Sequence, residues 1–184
     1  EVLLKVENLQ QYFKSGRYEN KAVDKVSFEV YKGEVFGLVG ESGCGKTTTG
    51  RSIIRLYDIT GGSVYYKGER ICAGIRSYKD AIAKAKKDAA LGKISSEELE
   101  QIIIENKIEI EKAKADHKKW SRTNKNNTLI NEIQMIFQDP IASLDPRMTV
   151  RDIIAEGLII RGIKDQQYIN EQVYKILDTV GLVQ

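Results

Sequence analysis

The sequence is poor in the residues that cross-link a chain or interrupt its elements. Its 184 residues include two cysteines, two prolines and one histidine. Two cysteines cannot supply the disulfide network of a small secreted domain, so they favour a reducing, cytosolic compartment. A single histidine, His117, with no second ligand nearby is more typical of a surface residue than of a metal site.

Long hydrophobic runs are also missing. No apolar stretch approaches the roughly 18 residues that a membrane-spanning helix needs, and the first residues show no signal-peptide pattern. We therefore expect a chain that is not itself embedded in a bilayer, although it could bind a partner that is. A hydrophobic fraction of 41% supplies a core, and 30% charged residues are typical of a soluble protein.

Excess charge of one sign is confined to a single region. Residues 72–127 carry 13 Lys or Arg against 9 Asp or Glu. The two signs are interleaved along a helical pattern, which is typical of a solvated helix surface rather than of a nucleic-acid patch. We expect no nucleic-acid partner.

The most informative segment is residues 40–47, GESGCGKT, which match the phosphate-loop pattern G-x-x-x-x-G-K-[ST]. The apolar run 35–39 before it predicts a buried strand, and residues 48–56 after it predict a helix. Glycines let successive backbone N–H groups converge on a phosphate, and the helix N-terminus adds a partial positive charge. Lys46 can reach the β- and γ-phosphates, while the Thr47 hydroxyl can ligate Mg²⁺. These residues predict binding of a nucleoside triphosphate.

Further strands are predicted on both sides of this loop. Apolar patterns predict strands over residues 2–9, 22–30 and 64–68, with a polar loop at 12–16 between the first two. The expected result is a mixed sheet around the strand–loop–helix unit.

From about residue 75 the pattern becomes helical. Gly92 interrupts it, and Ser95 with Glu98 forms a capping box that predicts the start of a second helix. One face of that helix carries Leu99, Ile102, Ile103, Asn106, Ile110 and Ala113, while Ile104 and Ile108 lie off it. Two such helices predict an antiparallel hairpin ending near His117 and Trp120, inserted at residues 71–128. Residues 121–127 predict the loop that returns to the body.

A second strong signal occupies residues 134–150, QMIFQDPIASLDPRMTV. An apolar strand over 129–137 is expected to deliver Gln138 and Asp139 beside the phosphate loop, where a Gln carbonyl oxygen can ligate Mg²⁺ or orient water. Pro140 and Pro146 stiffen the segment that follows and suit a surface presented to another protein. An ordinary strand ending in a polar turn is the alternative. Helices are predicted from Val150 and from Asp165.

Together the phosphate loop and the run FQDPIASLDPR resemble the ATP-binding subunit of an ABC importer, in the subfamily for oligopeptides, dipeptides or nickel. Residues 21–28, KAVDKVSF, and 180–182, VGL, also match that layout. The resemblance implies an α/β fold, an incomplete ABC-type nucleotide-binding domain of the P-loop NTPase class. Its core would be residues 1–70 and 129–140, the hairpin at 71–128 would be an insertion, and 141–184 would begin the helical subdomain.

The resemblance also implies roles for particular residues. Lys46 and Gln138 would be catalytic, Thr47 and Gln138 would hold Mg²⁺, and Phe13 would stack on adenine, with Tyr12 as the second candidate. Both aromatics could instead be packing residues. ATP would be held by Phe13 and by the phosphate loop: Gly40, Ser42, Gly43, Cys44, Gly45, Lys46, Thr47 and Thr48.

The implied partners are transmembrane permease subunits, contacted through residues 139–150, and a second ATP-binding subunit. The expected location is cytoplasmic, peripheral on the inner face of the cell membrane. The 184 residues contain no Leu-Ser-Gly-Gly-Gln signature, no apolar strand ending in Asp-Glu and no switch histidine. We therefore expect these residues alone to bind Mg-ATP weakly and to turn it over negligibly.

Three other functions fit the sequence less well. They are a non-transport ABC ATPase, an interaction module that docks through the hairpin, and a kinase-like P-loop enzyme with Asp139 as the metal ligand. The sequence does not choose between peptide and nickel as cargo, or between a homodimer and a heterodimer.

Overall fold

The computed structural model describes residues 1–121 and 129–182. The chain divides into two compact units, Glu1–Met135 and Ile136–Gln184. Within the described residues, the first unit contains a sheet, the helix after the phosphate loop and a helical hairpin, and the second unit is helical. No helix in these ranges combines the length and the apolar character that crossing a membrane requires.

The sheet of the described residues is antiparallel, with strand order β2-β1-β3-β4. Its strands are β1 (Val2–Ser15), β2 (Tyr18–Tyr31), β3 (Gly61–Tyr66) and β4 (Glu69–Ala73). The strands predicted over residues 2–9, 22–30 and 64–68 are confirmed, although the sheet is antiparallel rather than mixed and β1 and β2 form a longer hairpin than expected. The loop predicted at 12–16 is wrong for residues 12–15, which extend β1; Tyr12 and Phe13, for example, pair with Lys21 and Asn20 of β2. β4 was not predicted, and it overlaps the start of the expected insertion.

An irregularity in β1 brings its apolar side chains onto one face. The pairing with β2 shifts register between Val6 and Leu9, and Asn8 there has a positive φ of 47°. The Asn8 N–H donates to the Ser27 hydroxyl at 2.8 Å. Because a bulge inserts an extra residue, side chains three positions apart can share a face. Val6 and Leu9 are consequently both buried in the core, with Val64 of β3.

The strand predicted at residues 35–39 is not formed. Val35 is 99% exposed and Val39 is 89% exposed, and none of the strands in the described residues pairs with this segment. Phe36 does make a contact, since its ring stacks on that of Phe28 with centroids 4.9 Å apart. The prediction was wrong because a strand exists only with a pairing partner, and an apolar composition does not show that such a partner is present.

The strand predicted at residues 129–137 is also wrong. Leu129–Glu132 form a short helix, α4, and residues 133–137 have no regular structure. Leu129 is buried in the core of the first unit, which shows that its apolar character serves packing rather than a ladder. Ile136, in the second unit, is 98% exposed.

The helix after the phosphate loop and the helical hairpin are confirmed. They comprise α1 (Lys46–Ile53), α2 (Arg76–Ala90) and α3 (Ser96–Lys119). At the start of α3 the Glu98 N–H donates to Ser95 Oγ at 3.1 Å, and the Ser95 N–H donates to Glu98 Oε2 at 2.8 Å. This reciprocal pair is the predicted capping box. The predicted face of α3 is at least partly buried, and Ile104 and Ile108 are exposed.

The hairpin is attached to the sheet by charge. The Arg70 guanidinium of β4, only 15% exposed, donates to Asp116 at 2.6 Å and lies 3.4 Å from Glu109. Lys119 at the end of α3 pairs with Glu69 of β4 at 2.6 Å. Arg70 is largely shielded from water, and a shielded charge is stable only when it is paired, so its contacts with Glu109 and Asp116 fix α3 along β4.

The second unit has its own small core. Its helices are α5 (Pro140–Ser143), α6 (Val150–Ile160) and α7 (Gln166–Thr179), so the helices predicted from residues 150 and 165 are confirmed. Thr149 and Asp165 cap α6 and α7, which explains where each begins. Ala155 of α6 packs with Ile169 and Val173 of α7.

Candidate nucleotide-binding site

The phosphate loop runs directly into α1. Gly43 and Gly45 have positive φ values of 83° and 95°, in the left-handed region that favours glycine. Gly45 is the N-cap of α1, and no described side chain caps the helix there. Uncapped N–H groups at a helix start are donors for an anion, and the helix dipole adds positive potential.

Gly45 also fixes α1 against the sheet. A Cβ at this position would lie 2.2 Å from the Ala22 carbonyl oxygen of β2 and 3.5 Å from a methyl carbon of Val23. Only glycine permits such a close approach of two backbones. The Gly45 carbonyl accepts from both the N–H and the hydroxyl of Thr49, at 2.8 and 3.0 Å. The start of α1 is therefore fixed by its close approach to β2 and by the two hydrogen bonds from Thr49.

The Lys46 ammonium group lies against the backbone of the phosphate loop. Its ammonium donates to the carbonyl oxygens of Gly40 and Glu41 at 2.7 and 2.6 Å, and lies 3.5 Å from Cys44 Sγ. An ammonium has three donors on a flexible stem, so it can exchange carbonyl partners for phosphate oxygens. The geometry thus places a lysine ammonium beside the uncapped N-terminus of α1.

The donor set around the loop fits a magnesium ion bound together with phosphates. Thr47 lies in the first turn of α1 with an exposed side chain, so its hydroxyl is available as an oxygen ligand. Over residues 1–121 and 129–182 there is no cluster of three His, Cys, Asp or Glu that could hold a metal. Mg²⁺ commonly takes few protein ligands and completes its shell with phosphate oxygens and water, which one hydroxyl beside a phosphate cradle can serve.

Gln138 and Asp139 belong to the second unit. Gln138 is exposed, in the bend before α5. Asp139 is the N-cap of α5, and its carboxylate accepts from the Ala142 N–H at 3.1 Å. The expected placement of Gln138 beside the phosphates stays a prediction.

The two aromatic candidates have different surroundings. Phe13, 37% exposed, meets the ring of Tyr57 edge-on, with centroids 5.3 Å apart and planes at 83°. The ring of Tyr12 lies near Arg76 and Lys21, and its hydroxyl donates to Asp24. Successive strand residues point to opposite faces of a sheet. The Phe13 side chain therefore lies on the face that Tyr57, after α1, also contacts, and the Tyr12 side chain lies on the other face.

The Tyr12 hydroxyl is engaged in a hydrogen bond with Asp24. Burial, together with the hydrogen bond to Asp24, raises the pKa of Tyr12 to about 12. The same hydrogen bond lowers the pKa of the Asp24 carboxyl. These contacts support Phe13 rather than Tyr12 as the stacking residue.

The two cysteines also differ in their exposure to solvent. Both are free thiols, Cys44 exposed in the phosphate loop and Cys72 buried in β4. Burial raises the pKa of Cys72 to about 12, so its thiol is unreactive at neutral pH. Cys44 stays predicted as a small residue tolerated in the loop.

Residues after α1 form contacts that the sequence did not predict. Arg51 of α1 donates to the Tyr57 hydroxyl at 3.2 Å. The Thr60 hydroxyl accepts from the Tyr12 N–H at 3.0 Å and lies 3.4 Å from the Tyr12 carbonyl oxygen. The aromatic residue Tyr57, four positions after the end of α1, was the one signal that could have suggested a second ring beside Phe13.

Comparisons with known proteins indicate the family that the chain resembles. The ABC transporter family matches residues 23–101, which include the phosphate loop and α1. The oligopeptide transport ATP-binding protein OppF of Bacillus subtilis is 42% identical over 183 residues, covering 99% of this chain and 45% of that protein. The dipeptide transport ATP-binding protein DppF of Lactococcus lactis is 35% identical over 184 residues, covering 98% of this chain and 44% of that protein. The chain thus spans less than half the length of these relatives.

Solved structures show the same fold. A dimeric ATP-binding cassette in a post-hydrolysis state, bound to ADP and Pi, matches with a TM-score of 0.58 at 18% identity, covering 99% of this chain and 59% of that chain. The predicted α/β P-loop fold and the predicted resemblance are therefore confirmed. Residues 23–101 thus match the ABC transporter family, and nearly the whole chain is similar to oligopeptide and dipeptide transport ATP-binding proteins.

Proposed function

We propose that the chain is the nucleotide-binding part of an ATPase subunit that couples ATP hydrolysis to the import of oligopeptides or dipeptides. The observation that carries the proposal is the phosphate loop, in which Gly45 anchors α1 and Lys46 places its ammonium among loop carbonyls. Relatives named as oligopeptide and dipeptide transport ATP-binding proteins support peptide as the cargo.

The bound species would be Mg-ATP. Lys46 and the N–H groups of the loop would bind the β- and γ-phosphates, and Phe13 would stack on adenine. Mg²⁺, when bound, neutralises charge on the phosphates, with Thr47 and Gln138 as its protein ligands. Ser42, Gly43, Cys44 and Thr48 would complete the cradle.

Transport would require more than these residues. A second ATP-binding subunit would supply a facing cassette, and permease subunits would contact residues 139–150. Within that segment Leu144, Pro146 and Val150 are exposed. The subunit would then sit peripherally on the inner face of the cell membrane. The 184 residues alone would bind Mg-ATP with negligible turnover, because phosphoryl transfer needs further positioned groups.

Nucleotide binding by Lys46→Ala tests the proposal. We expect its ATP dissociation constant to rise at least about tenfold, because a charge-assisted hydrogen bond to phosphate is lost. Lys114→Ala is the matched control, since Lys114 is exposed and, among the described residues, forms an ion pair with Glu111 of the same helix. Equal ATP affinity for the Lys46 variant and the control would contradict phosphate binding by the loop.

An interaction module that docks through the hairpin is the competing function. The observation that favours it is the exposure of Ile104 and Ile108, 51% and 49%, on one side of α3. Replacing both with glutamine leaves the packed face of α3 unchanged. Peptide import by the reconstituted transporter should survive this change. Loss of import with ATP binding intact would favour the interaction module instead.

A further inference from the structure

We propose that Tyr57 is a positioning residue for nucleotide binding: it holds the Phe13 ring in the orientation that stacks on the base. The inference rests on the proposed function, because it takes Phe13 as the stacking residue. It adds a residue outside the phosphate loop and outside the segment that contains Phe13.

The Tyr57 ring is in direct contact with the Phe13 ring. Tyr57 meets Phe13 at 83° with centroids 5.3 Å apart, an edge-to-face arrangement of the favoured kind. This arrangement constrains the Phe13 ring from one side, while Phe13 keeps 37% of its surface exposed. An aromatic platform for a base needs an accessible face and a fixed tilt, and the pair provides both.

The Tyr57 side chain is itself held by a residue of α1. Its hydroxyl accepts a hydrogen bond from Arg51 Nη1 at 3.2 Å. Arg51 belongs to α1, the helix whose N-terminus forms part of the phosphate cradle. The base platform is therefore connected through one side chain to the element that would bind the phosphates.

Backbone contacts of the same segment support this role. Thr60, three residues after Tyr57, binds both the N–H and the carbonyl of Tyr12 through its hydroxyl. The Thr60 N–H also donates to the Gln10 carbonyl at 2.8 Å. The segment 57–60 thus fixes the backbone next to Phe13 as well as its ring, which is what preorganisation of a binding residue requires.

The test compares a ligand that has a base with one that lacks it. Dissociation constants for ATP and for inorganic tripolyphosphate would be measured by calorimetry on the intact protein. Phe13→Leu should weaken ATP about tenfold or more. Tyr57→Leu should weaken ATP about threefold to tenfold. Neither variant should change the affinity for tripolyphosphate, because that ligand never meets the platform.

Two further variants separate positioning from folding. Tyr57→Phe keeps the ring and removes the hydroxyl that Arg51 binds, so ATP should weaken only about twofold. In the double variant of Phe13 and Tyr57, ATP binding should be no weaker than in Phe13→Leu alone, because both changes act through one ring. Tyr18→Leu is the control, since Tyr18 lies in the same β-hairpin and is 84% exposed.

Each outcome decides the inference. It is overturned if Tyr57→Leu leaves ATP affinity unchanged, weakens ATP and tripolyphosphate equally, or adds its loss to that of Phe13→Leu. Tyr57→Leu could fail to bind either ligand because it does not fold. In that case Tyr57→Phe decides: the inference is overturned if its ratio of ATP affinity to tripolyphosphate affinity equals that of the unsubstituted protein. Lys46→Ala separates the proposed function from this inference, because it should weaken both ligands. No effect of Lys46→Ala refutes phosphate binding itself, whatever Tyr57 does.

Discussion

Replacing Gly45 with alanine tests how firmly the phosphate loop is fixed to the sheet. Two costs arise at this position. An alanine at φ +95° costs about 1 kcal/mol, because its Cβ approaches the following carbonyl. Its Cβ would also lie 2.2 Å from the Ala22 carbonyl oxygen, which belongs to a strand backbone and cannot rotate away. Overpacking of this kind costs about 1–3 kcal/mol, so the expected total is about 2–4 kcal/mol.

Gly43→Ala is the matched control, because it separates the two costs. Gly43 has a similar φ of +83°, but a Cβ there would meet no atom of the described residues within 4 Å. Urea unfolding without nucleotide can be followed by the fluorescence of the single tryptophan, Trp120, which packs against the core. With a slope of about 2 kcal/mol per molar urea, the midpoint should fall by about 1–2 M for Gly45→Ala and about 0.5 M for Gly43→Ala. Equal shifts for the two variants would refute the close approach of α1 to β2.

Three further predictions concern the hairpin and the sheet. Ser95→Ala should lower the free energy of unfolding by about 1 kcal/mol in urea, because the helix loses its cap, whereas Ser96→Ala should not lower it. Arg70→Ala should cost about 2 kcal/mol and accelerate hydrogen exchange at the end of α3, whereas Lys114→Ala, which breaks an exposed pair, should cost about 0.3 kcal/mol. Because the pKa of Tyr12 is about 12 in the folded chain and near 10 when unfolded, its contribution to stability is full below pH 10. That contribution is lost as pH rises towards 12, so alkaline unfolding of Tyr12→Phe should lack this part of the decline.

The features that could be predicted from the sequence have local causes. The phosphate loop needs glycines and a lysine within eight residues, and the Ser95–Glu98 box closes within one helical turn. The buried and exposed sides of α3 follow from helical spacing alone, which is why Ile104 and Ile108 were placed correctly. In each case the interacting residues lie within a few positions of one another.

The features that were missed depend on residues far apart in the chain. The run 35–39 has the composition of a strand, but pairing needs a neighbour that composition cannot identify. The same holds for 129–137, where Leu129 is buried by packing against the core. The contact between Phe13 and Tyr57 joins β1 to the segment after α1, so no local pattern could reveal it.

The attachment of α3 to Arg70 has a consequence for how the hairpin could be gained or lost. Arg70 is 15% exposed, and both of its carboxylate partners, Glu109 and Asp116, come from the hairpin. A deletion of residues 75–125 would remove both of these carboxylates from Arg70, so its effect would combine the loss of these ion pairs with the loss of the hairpin itself. The charge of β4 and the hairpin should therefore be inherited together. In relatives that lack the hairpin, we expect an uncharged residue at the position of Arg70, and Arg70→Gln is the change to combine with any deletion.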